Sequence, residues 1–168
     1  MLTTSASKTE QAQLEIQIGD LKRELNGLIV SADQRCSTAQ VRGFHFPLVS
    51  MGEIERLEEA VRGNFDVRKE YVRYLTVKKP PSMDVTNFFS YLFTDDALIG
   101  YNYSGTNNIG EQKMPMRNYE IFIDCMIEAW ADHGLDHTML EEKIKIVVRK
   151  LTARRRMQKF RKRKSIKS

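Results

Sequence analysis

No run of about 18 apolar residues occurs in this chain, so no segment has the length of a transmembrane helix. The start, MLTTSASKTEQAQ, has no apolar stretch of the kind a secretory signal needs. Cysteine is scarce. Cys36 and Cys125 lie far apart in segments of different character, which excludes a disulfide framework and fits a reducing compartment. Cys125 falls on an apolar helix face, where a thiol behaves as a small hydrophobe. There is no G-x-x-x-x-G-K phosphate loop and no G-x-S-x-G nucleophile elbow. Histidine is limited to His45, His133 and His137; the last two have i, i+4 spacing but fall in a turn, short of the three or four convergent ligands a metal needs. No catalytic residue, cofactor site or metal ligand is expected, and an enzyme is the least favoured class.

Acidic residues are missing from one place in particular. The last fifteen residues, Arg154 to Ser168, read RRRMQKFRKRKSIKS and hold nine Lys and Arg with no Asp or Glu. The whole chain carries 27 Lys+Arg and 22 Asp+Glu; without the tail, 18 cations face the same 22 acids, a net charge of −4. The basic character therefore belongs to a tail and not to a surface. Such an end is an address read by a transport receptor, an arm lying along a polyanion, or a solvated helix end. The candidate contact residues are Arg154, Arg155, Arg156, Lys159, Arg161, Lys162, Arg163 and Lys164. Arg161–Lys164 has the short basic pattern of a nuclear localisation signal.

At 168 residues, with 41% hydrophobic and 9% aromatic content, the chain has room for one core with polar ends. Residues 1–11 are expected to be disordered. Leu14, Ile18, Leu21, Leu25 and Leu28 follow the 4-3-4-3 spacing of a coiled-coil seam. That predicts a dimerisation helix over 12–30, or else an amphipathic helix folded back on its own domain. Residues 31–43 have no period and read as a linker.

The helical domain is expected over 44–153. Ser50 to Glu53 forms a capping box, in which the hydroxyl takes the N3 amide and the carboxylate returns to the cap amide. It opens a helix with Ile54, Leu57 and Val61 inward, ended by Gly63. Asp66 can cap a second helix, which Pro80 and Pro81 stop. Asp84 can cap a third through Phe93, and Thr94 a short acidic turn. After a long Gly- and Asn-rich loop, an apolar helix is predicted from about Asn118 to Asp132. A second capping box, Thr138 to Glu141, opens a last helix with Leu140, Ile144, Val147, Val148 and Leu151 inward, running into the tail. Tyr101 and Tyr103 bracket the loop, as lids over the core or as platforms for bases. The expected architecture is all-α: a compact bundle of about five helices with an N-terminal coiled-coil helix and a C-terminal basic tail.

Several stretches carry a family resemblance. F-P-L at Phe46, M-G-E-I-E-R-L-E-E from Met51, F-F-S-Y-L-F-T-D-D-A-L from Phe88, Y-N-Y-S-G from Tyr101 and an apolar helix ending at Trp130 occur in that order. Over about Phe44 to Arg156 the chain resembles an uncharacterised animal domain of unknown function, abundant in insect proteins. It is also distantly similar to the BEN domain, a helical module that binds DNA or chromatin proteins. The resemblance implies a binding role. The family's loop glycine is commonly followed by lysines, whereas Gly105 here precedes Thr106-Asn107-Asn108, which shifts any phosphate contact to the tail.

The expected function is a nuclear, DNA- or chromatin-associated regulator acting as a dimer. The alternative is a protein-interaction adaptor whose tail is only an import signal. DNA or chromatin, an import receptor, a second copy and other nuclear proteins are the expected partners; no membrane is. Clustering of Lys113, Arg117, Lys143, Arg149 and Arg154 on one face favours the first reading. Scatter among the acids favours the second.

Overall fold

The computed structural model describes the backbone of residues 4–106 and 110–166, and the side chains of 9–28, 38–106 and 110–166. Asn107 and Asn108 of the long loop, and the last tail residues Lys167 and Ser168, lie outside the described residues.

The chain divides into two units, residues 1–38 and 39–168. In the first, a single helix α1 spans Thr4–Thr38. It runs through positions expected to be disordered at the start and through most of the expected linker. Among the described residues no coiled-coil pairing is evident. Leu14, Ile18, Leu21, Leu25 and Leu28 are each more than half exposed, and Ile16, off the seam, is equally bare. The 4-3-4-3 pattern spans only about two heptads, too short a stripe to organise so long a helix.

In the second unit, helix α2 (Met51–Gly63) is opened by Ser50, whose hydroxyl accepts the Glu53 amide at 3.3 Å. The returning carboxylate of Glu53 reaches the amide of Val49 at 2.7 Å, one residue before the cap. Helix α3 (Phe65–Lys78) is capped by Asn64 and not by Asp66: the Asn64 side chain accepts the Asp66 amide at 2.9 Å. Asp84 caps α4 (Val85–Leu92), and Thr94 caps α5 (Asp95–Leu98). Two-residue strands β1 (Tyr101–Asn102) and β2 (Met114–Pro115) pair in parallel and close the long loop.

The expected helix from Asn118 to Asp132 is broken. A 3-10 turn, Met116–Asn118, precedes α6, which spans only Asp124–Trp130, and a second 3-10 turn, Ala131–His133, ends at left-handed Gly134. Helical register is lost at Cys125, whose amide bonds to the Glu120 carbonyl five residues back at 2.9 Å. The Glu58 carboxylate on α2 holds this turn by accepting the amides of Glu120 and Ile121, which lie too near its start to have partners within a helix. Helix α7 (His137–Ile166) begins a residue before Thr138, because Asp136 accepts the Met139 amide at 2.8 Å and so caps it. The described chain therefore holds seven α-helices in place of about five.

The core lies between α3 and α6, with α2 against α3 and α5, and α4 against α7. Trp130 is 1% exposed; its indole donates to the Leu75 carbonyl at 3.1 Å, and its ring meets Phe88 edge-on. Leu140, Ile144, Val147 and Leu151 bury one face of α7 in the same core. Beyond Thr152 that face runs out, yet the helix continues unbroken, and every described side chain from Arg156 onward is exposed.

Candidate functional site

Helix α7 has two flanks of different electrostatic character. On the flank toward α4 and α5, acids of the domain pair with Lys143 and Arg154, while Lys150 makes no ion pair among the described residues. The Lys143 ammonium lies 2.5 Å from the Asp84 carboxylate. That contact, with bonds from the Thr86 amide and hydroxyl, lowers the Asp84 carboxyl to about 2. Arg154 binds Asp95 with two parallel bonds of 2.7 Å. Arg154 is thus fastened to the domain and is not part of a loose tail. A cleft of about 460 Å³ lies beside it, lined by Thr86, Asn87, Ser90, Asp95 and Lys150 among others.

On the opposite flank, toward β1 and β2, basic residues gather. Lys145 pairs with Glu141 at 2.6 Å and sits 5.2 Å from the Tyr103 ring centroid. Arg149 shares a cleft with Asn102, Tyr103 and Ser104. Arg117 donates its backbone amide to the Tyr103 carbonyl at 3.1 Å. Further along α7, Arg155, Arg156 and Lys159 line one cleft with Lys113 from the loop. The cations expected either to cluster or to scatter therefore divide. Lys143 and Arg154 are tied to acids, whereas Lys113, Arg117 and Arg149 lie on the β1–β2 side. Arg161 lines a shallow surface with Met157 and Gln158; Lys162, Arg163 and Lys164 occupy the last exposed turns.

Backbone hydrogen bonds tie together the described arms of the loop that presents Lys113. The Met114 amide bonds to the Gly100 carbonyl at 2.8 Å, and the Lys113 amide to the Gly105 carbonyl at 3.3 Å. Gly105 has φ +81°, and a Cβ there would stand 3.1 Å from the Lys113 carbonyl oxygen. That position requires glycine both for its backbone angle and for its closeness to β2. Behind the loop, Tyr101 and Tyr119 both donate to Glu55 at 2.5 Å. Burial and the nearby carboxylate push both phenols well above their ordinary range. Tyr101 is fully buried, so it is a lid over the core and offers no face for a base. Tyr103 is half-buried beneath Lys145. Among the described residues no group of three or more His, Cys, Asp and Glu is placed to hold a metal, and no helix is long and apolar enough to cross a membrane.

Sequence reasoning missed the role of Asp84 and Asp95 as partners of α7. Each already had an adequate local reading at a helix N-terminus, and their cationic partners lie 59 residues away. It also missed Lys113 as a neighbour of α7, which follows only from the β1–β2 closure.

Residues 40–129 match the family described as Domain of unknown function (DUF4806). No curated protein and no solved structure matches the chain. The family match carries neither an insect distribution nor a likeness to the BEN domain. It also stops short of α7, although Leu140, Ile144, Val147 and Leu151 complete the core that the matched residues begin. The match covers more than half of the chain, and the chain belongs to the DUF4806 family of domains.

Proposed function

We propose that this protein is a nucleic-acid-binding factor, associated with DNA or chromatin in the nucleus, and that α7 carries the binding. One observation supports this above the others. The basic tail continues α7 as one helix, anchored in the core through Leu151 and fully exposed from Arg156 to Ile166. At 100° per residue, Arg156, Lys159, Arg161, Lys162, Arg163 and Lys164 point to every side. A helix lying in the major groove has a phosphate strand on each flank, so cations all round suit that position. Affinity from such an arm comes from displacing condensed counterions and is independent of sequence. The same residues, Arg161–Lys164, suit an import receptor, which agrees with a nuclear location.

A second reading is favoured by a separate observation. Met157 and Phe160 are 56% and 64% exposed on the same helix, and outside the tail the chain carries net −4. An adaptor that docks another nuclear protein on α7 accounts for both. Fluorescence anisotropy with a labelled random duplex separates the two. Salt-sensitive, saturable binding by the full chain supports the nucleic-acid reading. Absence of duplex binding at low salt, with nuclease-resistant recovery of protein partners from nuclear extract, supports the adaptor.

A further inference from the structure

We infer that the cleft where α7 leaves the domain is a binding site for a phosphate group, held by Lys113, Arg155, Arg156 and Lys159. This deepens the nucleic-acid reading and rests on it for the source of the phosphate.

Three of the five Lys and Arg residues on the anchored half of α7 have acids beside them, while the exposed Arg149 and Lys150 make no ion pair among the described residues. Lys143 has Asp84, Lys145 has Glu141, and Arg154 has Asp95. Beyond Arg154 the next cations on α7, Arg155, Arg156 and Lys159, make no ion pair among the described residues. Arg155 turns toward the domain one turn beyond buried Leu151 and is half-buried. Lys113, also half-buried, lines the same cleft, together with Arg156 and Lys159. The cleft measures about 210 Å³, and its other walls are Ile99, Leu151 and Thr152. No carboxylate lines it, and none of the four cations makes an ion pair among the described residues.

Gathering like charges in a partly desolvated concavity is unfavourable unless an anion joins them. The chain does not supply one here, although it does so at Lys143, Lys145 and Arg154. The Thr152 hydroxyl already donates to the Val148 carbonyl at 2.9 Å, so the spare donors are all cationic. Four cations without an acid suit a group of high negative charge with several acceptor oxygens, which describes phosphate. The volume suffices for one such group with some water, since liquid water takes about 30 Å³ per molecule.

The site is also built from fixed parts. Lys113 immediately precedes β2 and donates its amide to the Gly105 carbonyl at 3.3 Å, and Arg155 lies one turn beyond Leu151, which anchors α7 in the core. It therefore differs from the outer turns of α7, whose described side chains are exposed. One phosphate clamped here would fix where α7 enters a groove, while the outer cations add affinity without register.

The test uses the full chain with isotope-labelled Arg and Lys side chains, and two charge-matched double variants. One is Lys113→Gln with Arg155→Gln; the other is Lys162→Gln with Arg163→Gln. Unchanged urea midpoints establish that both remain folded. The first probe is inorganic phosphate at constant ionic strength, read as side-chain nitrogen shifts. The second is a random-sequence duplex, read by anisotropy. Saturable shifts at Arg155 and Lys113 are expected, absent in the first variant and kept in the second. The first variant is expected to lose about tenfold more duplex affinity than the second, which changes the same number of charges. A greater loss on the duplex without saturable phosphate shifts assigns the cleft to a backbone phosphodiester. Saturable phosphate binding with equal duplex losses, or with no duplex binding, assigns it to a free phosphate; no duplex binding also removes the nucleic-acid reading. Duplex binding with equal losses and no saturable phosphate shift keeps that reading and overturns the cleft. No phosphate shift and no duplex binding overturns both.

Discussion

Glu58 and Ile121 lie 63 residues apart and are joined by a hydrogen bond of 3.1 Å, from the Ile121 amide to the Glu58 carboxylate. The same carboxylate accepts the Glu120 amide at 3.0 Å and pairs with Arg62 at 2.5 Å. A charged side chain only 5% exposed thus holds the turn that starts the core helix α6. Glu58→Ala would leave two backbone amides without their acceptor and Arg62 without its partner. The expected loss is about 3 kcal/mol or more in urea unfolding, with Glu58→Gln losing less because its carbonyl oxygen still accepts. A shift below about 0.5 kcal/mol for Glu58→Ala would show that the turn forms without it.

Trp130 is the largest fully buried side chain, and it carries a hydrogen bond to Leu75 as well as its packing. Trp130→Ala should cost about 3–5 kcal/mol through reduced burial and the cavity left behind. As the chain's single tryptophan, it should emit at a blue-shifted wavelength in the native state. Emission at the water-exposed wavelength contradicts this placement.

Much of this architecture was legible in the sequence, and the reasons for the rest are physical. The inward faces of α2, α4 and α7 follow from apolar periodicity, and the caps at Ser50, Asp84 and Thr94 follow from short-range chemistry. Where two nearby residues can both cap, local pattern does not choose between them, so Asn64 and Asp136 took the places expected for Asp66 and Thr138. The turn before α6 was hidden because Glu58, whose carboxylate holds it from more than 60 residues away, looks like any solvated acid on a helix. The candidate site divides in the same way. The cationic run is plain to read, but Arg154 belongs to Asp95, and Lys113 joins α7 only through long-range closure of the loop.

The family match ends before α7, but the fold does not. Burying Leu140, Ile144, Val147 and Leu151 is worth on the order of 6–12 kcal/mol, comparable to the entire stability of about 5–15 kcal/mol for a domain of this size. A chain of residues 39–129 should therefore remain unfolded, while 39–156 should melt cooperatively. Circular dichroism on both decides it. A cooperative transition in the shorter chain contradicts the assignment of α7 to the core.

Acid should act on the α4–α7 contact. The Asp84 carboxyl is lowered to about 2 in the folded chain, chiefly by Lys143, against about 3.9 when unfolded. A lowered folded value gives stability that is present above the unfolded pKa and disappears as pH falls through the folded one, so the window runs from about pH 4 to pH 2. The Asp84 side chain is 41% exposed, so solvent screening keeps the effect small. Asp84→Asn keeps the helix cap but removes the charge. Its melting temperature should lie below that of the parent at pH 6 and converge with it by pH 2. A gap that stays constant over that range contradicts the ion pair's contribution.

The salt dependence of duplex binding decides whether the outer half of α7 carries the affinity for nucleic acid. The comparison is between the full chain and a chain ending at Arg156, which keeps the Arg154–Asp95 pair and the anchored half of α7. Removing one cation that neutralises a phosphate should lower the magnitude of the slope of log K against log salt by about 0.9. The expected result is a steep slope for the full chain, a slope shallower by several such steps for the shortened one, and weaker binding of the shortened chain to every duplex. Equal slopes and equal affinities for the two chains, or no salt-dependent binding by the full chain, contradict the assignment of nucleic-acid binding to α7.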